Sequence, residues 1–247
     1  MKKFKIFIPA RYHSSRFPGK PLAKILGKEM INYVYSTCIR TFPYVDVYVL
    51  TDSQKIKNFC KKKFINCMMT SKKCKTGTDR ILEIYKKIKT DIYFNVQGDE
   101  PLIEKENLKK FVRYALKNSS NICIAKSQIS KKGYLNINIP KIVTNENENL
   151  MYISRSSIPA QKEKNTLNKK YYGQVNLYSF PNKFLSFELY NKKTALEKIE
   201  DIEILRFLEH GQNIKVLKLN SNNHPVDIPK DIKIVEQILK KNVKKIW

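Results

Sequence analysis

The chain has 247 residues, and its 48 Lys and Arg against 22 Asp and Glu give a formal net charge of +26. With 42% hydrophobic and 11% aromatic residues it is too apolar for a disordered chain, and its 7 Gly and 5 Cys exclude a collagen-like repeat and a disulfide scaffold. Its apolar stretches, such as residues 6–10 and 47–50, fall far short of the roughly 20 residues that span a bilayer.

In chain order, residues 4–8 form a β-rich run ended by Pro9. The loop 10–21 follows, carrying Arg11, Arg16 and Lys20. It lacks the glycines and spacing of a P-loop. Turn N–H groups and cations can still hold phosphate oxygens there. Residues 30–40 show helical spacing and 45–50 read as a buried strand. Thr51, Asp52 and Ser53 offer an N-cap to a helix running through Phe64. Residues 65–69 read as a strand, and Thr78 or Asp79 as the cap of a helix over 80–88. A strand over 91–96 leads to Gln97-Gly98-Asp99-Glu100-Pro101, then a helix over 104–116 and a strand over 122–125. This alternation predicts a mostly parallel sheet with right-handed crossovers, covered by helices on both faces in three layers. Ligands of such sheets bind at the carboxyl ends of the strands, where the loops 10–21 and 97–101 lie.

The second half differs. Residues 139–144, 150–153 and 175–180 read as strands, with a charged loop over 161–170. Helices are expected over 183–190 and 199–209, a strand over 214–219, and a last helix over 229–241 with Pro229 in its first turn. The expectation is one α/β domain over 1–247, with a β-rich arm near 135–180 inserted in it.

Lysine supplies 41 of the 48 cations, and Asn numbers 22. Without a helix-turn-helix, zinc-finger or RNP-type motif, a nucleic-acid partner is not expected. A positive field would instead draw in a small polyanion. Residues 1–5 run straight into a strand pattern, so a cytoplasmic location is expected, without membrane insertion. The cysteines are odd in number and lack C-x-x-C spacing, so they read as reduced structural thiols.

Several motifs then carry a resemblance. Ile8-Pro9-Ala10-Arg11-x4-Arg16-x-Pro18-Gly19-Lys20-Pro21-Leu22 is followed by Gly77-Thr78-Asp79-Arg80 and by Asn95-Val96-Gln97-Gly98-Asp99-Glu100-Pro101. Ile153-Ser154-Arg155, Leu177-Tyr178-Ser179-Phe180, Glu200-x-x-Glu203-x-Leu205-Arg206 and Val226-Asp227-x-Pro229-x-Asp231 come later, in family order. Together they resemble the bacterial 3-deoxy-manno-octulosonate (Kdo) cytidylyltransferases, the CMP-Kdo synthetases. The resemblance implies a Rossmann-like fold of the nucleotide-diphospho-sugar transferase type, with the β-rich arm making a homodimer contact. It also implies transfer of CMP from CTP to an acidic sugar, with release of pyrophosphate, for lipopolysaccharide or capsule.

By the same resemblance, Asp99 and Asp227 would bind Mg²⁺, a hard cation suited to carboxylate and phosphate oxygens. From the residues alone, Asp99 reads equally as a turn carboxylate and Asp227 as a helix N-cap. Arg11, Arg16 and Lys20 would contact the triphosphate beside Ala10, with Arg16 and Lys20 joining the aspartates in catalysis. Gly77, Arg80 and Gln97 would surround the cytidine, although Arg80 could instead be a surface ion-pair partner. Arg155 would clamp the sugar carboxylate, and Glu200 and Glu203, three apart on one helix face, would accept sugar hydroxyls. Three positions depart from the family pattern: Gln174 stands for a His, Asn176 for a Gly and Ile204 for a Gln. The acceptor is therefore Kdo, a modified Kdo, another 2-keto sugar acid or a smaller anion.

Overall fold

A computed structural model of the protein describes residues 2–14, 16–160, 162, 170–186, 190, 192–221 and 224–241. It begins with β1 (Phe4–Pro9), a 3-10 turn (Lys20–Leu22) and a small hairpin of β2 (Lys24–Ile25) and β3 (Lys28–Glu29). Next come α1 (Met30–Thr41), β4 (Val47–Thr51), α2 (Gln54–Lys62), β5 (Cys67–Met69), α3 (Gly77–Ile84), β6 (Ile92–Val96), α4 (Lys105–Lys117) and β7 (Ile122–Ile129). The second half holds α5 (Lys131–Leu135), β8 (Lys141–Thr144), β9 (Leu150–Ser154), β10 (Tyr171–Pro181), α6 (Asn182–Leu185), α7 (Ala195–Glu200), α8 (Leu205–Glu209), β11 (Ile214–Leu219) and α9 (Pro229–Lys241).

The main sheet runs β11-β7-β10-β6-β1-β4-β5. β1 is parallel to β4 and β6, β4 to β5, and β11 to β7. β10 alone is reversed, antiparallel to both β6 and β7. β1 and β6 are mostly apolar, interrupted only by Lys5 and by the buried Asn95, because helices cover both faces. Ile6, Ile8, Phe94 and Val96 pack with Val34 and Phe111 on one side, while Phe7 and Tyr93 pack with Ile81 and Phe207 on the other.

The expected β-rich arm is only partly separate from this sheet. β8 and β9 extend from β10 as a hairpin, but the strand expected over 175–180 is a central member of the main sheet. The loop 161–170 lies outside the described residues, save 162 and 170.

Several local expectations are corrected. The cap of α3 is Thr76, not Thr78 or Asp79: its hydroxyl accepts the Asp79 N–H at 3.1 Å and Asp79 accepts the Thr76 N–H at 3.0 Å. This reciprocal capping box starts the helix three residues early, and it ends at Ile84 rather than 88. Ser53 precedes α2 without a side-chain capping bond. The helix expected over 183–190 is the short α6, with 187–189 outside the described residues. The helix expected over 199–209 is two helices, because Asp201 adopts a left-handed φ of 49° after Glu200. Glu200 and Glu203 therefore do not share a helix face. Among the described residues, no helix is long and apolar enough to cross a membrane.

Candidate active site

The parallel topology brings the carboxyl ends of β1 and β6 side by side, so the loop after Pro9 faces the turn Gln97-Gly98-Asp99. Space there is tight: a Cβ on Gly98 would stand 2.9 Å from the Pro9 carbonyl oxygen. The approach of α9 adds the third strand of chain, as the Val226 N–H donates to the Asp99 carbonyl at 3.0 Å.

These contacts gather the expected acidic and basic groups. The Lys20 ammonium donates to Asp99 Oδ2 at 2.7 Å and to the Val226 carbonyl at 2.8 Å, and lies 3.8 Å from Asp227 Oδ1. Arg16 Nη2 is 3.5 Å from the same Asp227 oxygen, and Arg16 Nη1 reaches Asn138 Oδ1 at 3.4 Å. Asp231, not Asp227, serves the start of α9, accepting the N–H groups of Asp227 and Ile228 at 2.8 and 2.9 Å. The Asp227 carboxylate is thereby left for the cavity.

Asp99 Oδ1 is buried with no hydrogen-bond partner. Among the described residues there is no cluster of three or more His, Cys, Asp or Glu side chains fit for a metal. Two carboxylates, one with an orphaned buried oxygen, nevertheless fit Mg²⁺, which keeps several positions for phosphate and water oxygens.

Two cavities of about 200 Å³ each open from this point. The first is lined by Ala10, Arg11, Lys20, Lys75, Thr76, Gly77, Arg80 and Gly98 among others. The second is lined by Glu100, Ser127, Asn138, Arg155, Gln174, Asn176 and Tyr178 among others. Arg16, Gln97, Asp99, Asp201, Glu203 and Asp227 line both.

In the first cavity, a Cβ on Gly77 would lie 2.9 Å from Gln97 Nε2 and from Pro9 Cγ, so glycine lets the start of α3 close on the sheet edge. Arg80 is only 2% exposed; it pairs with Asp52 at 3.1 Å and donates to the Thr70 hydroxyl. It is neither a surface residue nor a free base reader, but a buried prop of the cavity wall. The Ala10 N–H is committed to the Leu50 carbonyl at 2.8 Å.

In the second cavity, Arg155 donates from Nε to the Glu200 carbonyl at 2.5 Å, from Nη1 to the Ile137 carbonyl at 3.3 Å and from Nη2 to the Asp201 carbonyl at 3.1 Å. A guanidinium has five N–H groups, so one on each terminal nitrogen remains. The Glu200 carboxylate does not face an acceptor; it holds the Ser154 hydroxyl at 2.5 Å and the Arg155 N–H at 2.9 Å. Glu203 turns to α3 instead, accepting the N–H groups of Gly77 and Thr78. Gln174 donates to the Tyr178 hydroxyl at 2.7 Å. Asn176 donates to Glu100 Oε1 at 2.7 Å, and burial, with the Asp99 charge next, pushes the Glu100 carboxyl up to about 8. Ile204 is wholly buried in the core and touches neither cavity, so its departure from the family pattern is a matter of packing.

Sequence reading passed over Asp52, Thr76, Asn138 and Tyr178 as site residues. Asp52 stands just past the carboxyl end of β4, the edge at which ligands are expected, and Thr76-x-x-Asp79 has capping-box spacing. Asn138 and Tyr178 stand within motifs that resemble the family, but nothing in the residues themselves marked either as part of the site.

Comparison with known proteins finds relatives over most of the chain. A family model described as cytidylyltransferase matches residues 6–215. The 3-deoxy-manno-octulosonate cytidylyltransferase of Geobacter metallireducens is 36% identical over 248 residues, covering 96% of this chain and 98% of the relative. The 8-amino-3,8-dideoxy-manno-octulosonate cytidylyltransferase of Shewanella pealeana is 35% identical over 237 residues, covering 94% and 96%. A solved CMP:2-keto-3-deoxy-manno-octonic acid synthetase complexed with CTP superposes with a TM-score of 0.89 at 30% identity, covering 97% of this chain and 99% of that one. With most of its length matched by the family and by full-length relatives, the chain belongs to the cytidylyltransferases.

Proposed function

We propose that the protein transfers the cytidylyl group of CTP to the hydroxyl of 3-deoxy-manno-octulosonate or its 8-amino-3,8-dideoxy form, releasing pyrophosphate. The product would serve lipopolysaccharide or capsule synthesis. The observation that carries this reading is the junction of the two cavities at Arg16, Asp99 and Asp227. A nucleotide in the first cavity and an acid in the second would bring the hydroxyl and the α-phosphorus together there.

The reaction joins two anions, so neutralisation and positioning are the main tasks. In this reading Arg11, Arg16 and Lys20 bind the triphosphate, and Lys20 and Arg16 balance charge that builds on the leaving pyrophosphate. Gly77 and Gln97 border the base, with Arg80 bracing the wall behind them. Arg155 uses its two remaining N–H groups as a fork for the acid's carboxylate. Gln174, Asn176 and Tyr178 meet its hydroxyl or amino substituents. Asp99 and Asp227 would hold Mg²⁺, which when bound polarises the α-phosphate and lowers the pKa of the attacking hydroxyl.

The same reading carries a cytoplasmic location and a homodimer. Leu135, Ile137 and Met151, exposed by 65%, 66% and 60% on and beside the β8–β9 arm, are apolar surface that a second copy would cover.

The test is pyrophosphate release with CTP, Mg²⁺ and each acid in turn. Release with either acid, and a fall of more than about 100-fold in a folded Asp99→Asn variant, is expected. No release with either acid, or near-normal turnover in that variant, overturns the reading.

A further inference from the structure

Lys141 is wholly buried on β8, yet it has no carboxylate partner among the described residues. Its ammonium donates to the Asn136 carbonyl at 3.0 Å and to the Arg155 carbonyl. The contrast is Lys126, also buried on the sheet, which pairs with Glu148 at 2.7 Å. A buried charge without an ion-pair partner is costly to the fold, so Lys141 is poorly explained by stability alone.

Its two carbonyl partners belong to two segments at the second cavity, which Asn138 and Arg155 line. Asn136 opens the segment that presents Ile137, whose carbonyl holds Arg155 Nη1, and Asn138, which meets Arg16. Arg155 itself lines the cavity, its own main-chain N–H held by Glu200. One ammonium therefore locks the Arg155 main chain and the segment that orients its guanidinium. We propose that Lys141 is a positioning residue for the acceptor: it fixes Arg155 so that the two uncommitted N–H groups face the acid's carboxylate, and adds a second positive charge behind them. Burial, and then the Arg155 charge, hold the Lys141 pKa below its usual value, and the nearby Glu200 charge only partly offsets them. This inference rests on the acceptor assignment proposed above.

The experiment compares wild type with Lys141→Met and with Lys141→Gln, which keeps an amide donor for one carbonyl; whichever folds by circular dichroism is used. The first readout needs no acceptor. Arg155 is labelled with an arginine-selective dicarbonyl and followed by peptide mass spectrometry. Labelling at least about threefold faster than in wild type is expected, because Arg155 is released from its frame. The second readout is kinetic: KM for the acid rises about tenfold or more, while KM for CTP stays within about twofold. In an Arg155→Lys background the same substitution changes KM for the acid less than about twofold, because the two residues act as a unit. Unchanged labelling, a parallel rise of both KM values, or effects that multiply in the double variant overturn the proposal. If wild type releases no pyrophosphate with either acid, the acceptor assignment fails, and the labelling rate still decides the role of Lys141.

Discussion

Glu203 spans the N-terminus of α3, with Oε2 accepting the Thr78 N–H at 2.7 Å and Oε1 the Gly77 N–H at 3.1 Å. First-turn N–H groups have no partner within a helix, and a carboxylate there also meets the positive end of the dipole. Because Glu203 lines both cavities, this pair of bonds ties the second cavity to the helix that borders the first.

Replacing Glu203 by Gln puts an amide donor against a backbone donor. The expected loss is about 1–3 kcal/mol, the cost of an unsatisfied buried group. Urea unfolding checks it, and KM for CTP should rise because α3 borders that cavity. Unchanged stability and KM would mean that the bonds contribute nothing.

Gly77→Ala tests the closeness of α3 to the sheet edge. The new Cβ would meet Gln97 Nε2 and Pro9 Cγ at 2.9 Å and Asn95 Nδ2 at 3.2 Å. Crowding of this kind costs about 1–3 kcal/mol, and part of it is relieved by displacing Gln97. The expected signature is a rise in KM for CTP larger than that for the acid, read from initial rates.

Arg206 is wholly buried, with Glu197 on Nε and Nη2 at 2.7 Å each, the Tyr190 carbonyl at 2.7 Å and Asp79 at 2.8 Å. Arg206→Met leaves the equally buried Glu197 charge without its partner. A loss of about 3–5 kcal/mol is expected, measured by denaturant unfolding. The double variant with Glu197→Leu should recover much of it, since both charges are then gone.

Glu100 gives a pH dependence. Its carboxyl is raised from 4.5 to about 8, so between these values the folded protein keeps a proton that the unfolded chain has released. The stability tied to that proton is complete below pH 4.5 and declines as pH rises to about 8. Wild type should therefore lose stability relative to Glu100→Gln across this window, measured by urea midpoints without divalent cation. Parallel profiles for the two proteins would exclude the effect.

Much of the site was legible before any fold. Arg16, Lys20, Asp99 and Asp227 meet at one point because loops that follow parallel strands emerge at one edge, and the pattern of strands and helices places β1 and β6 in such a sheet. The two-sided burial of these strands is equally visible in their largely apolar runs, which only Lys5 and Asn95 interrupt. The roles of Arg80, Glu200 and Ile204 were not legible in the same way. Arg80 is taken by Asp52, 28 positions away, and Glu200 by Ser154, 46 away.

The sequence by itself determined the layered α/β plan, the edge at which chemistry gathers and the family to which the chain belongs, since each is written in local periodicity or short motifs. Only the tertiary structure decided where the helix over 199–209 breaks, that β10 runs backwards inside the sheet, and which carboxylates face a cavity rather than the backbone. The reason is one of magnitudes. Local helix preference is worth less than about 1 kcal/mol per residue, whereas leaving one partner of a buried pair such as Arg206 and Glu197 unpaired costs about 3–5 kcal/mol, and the further partner Asp79 lies far outside any local window.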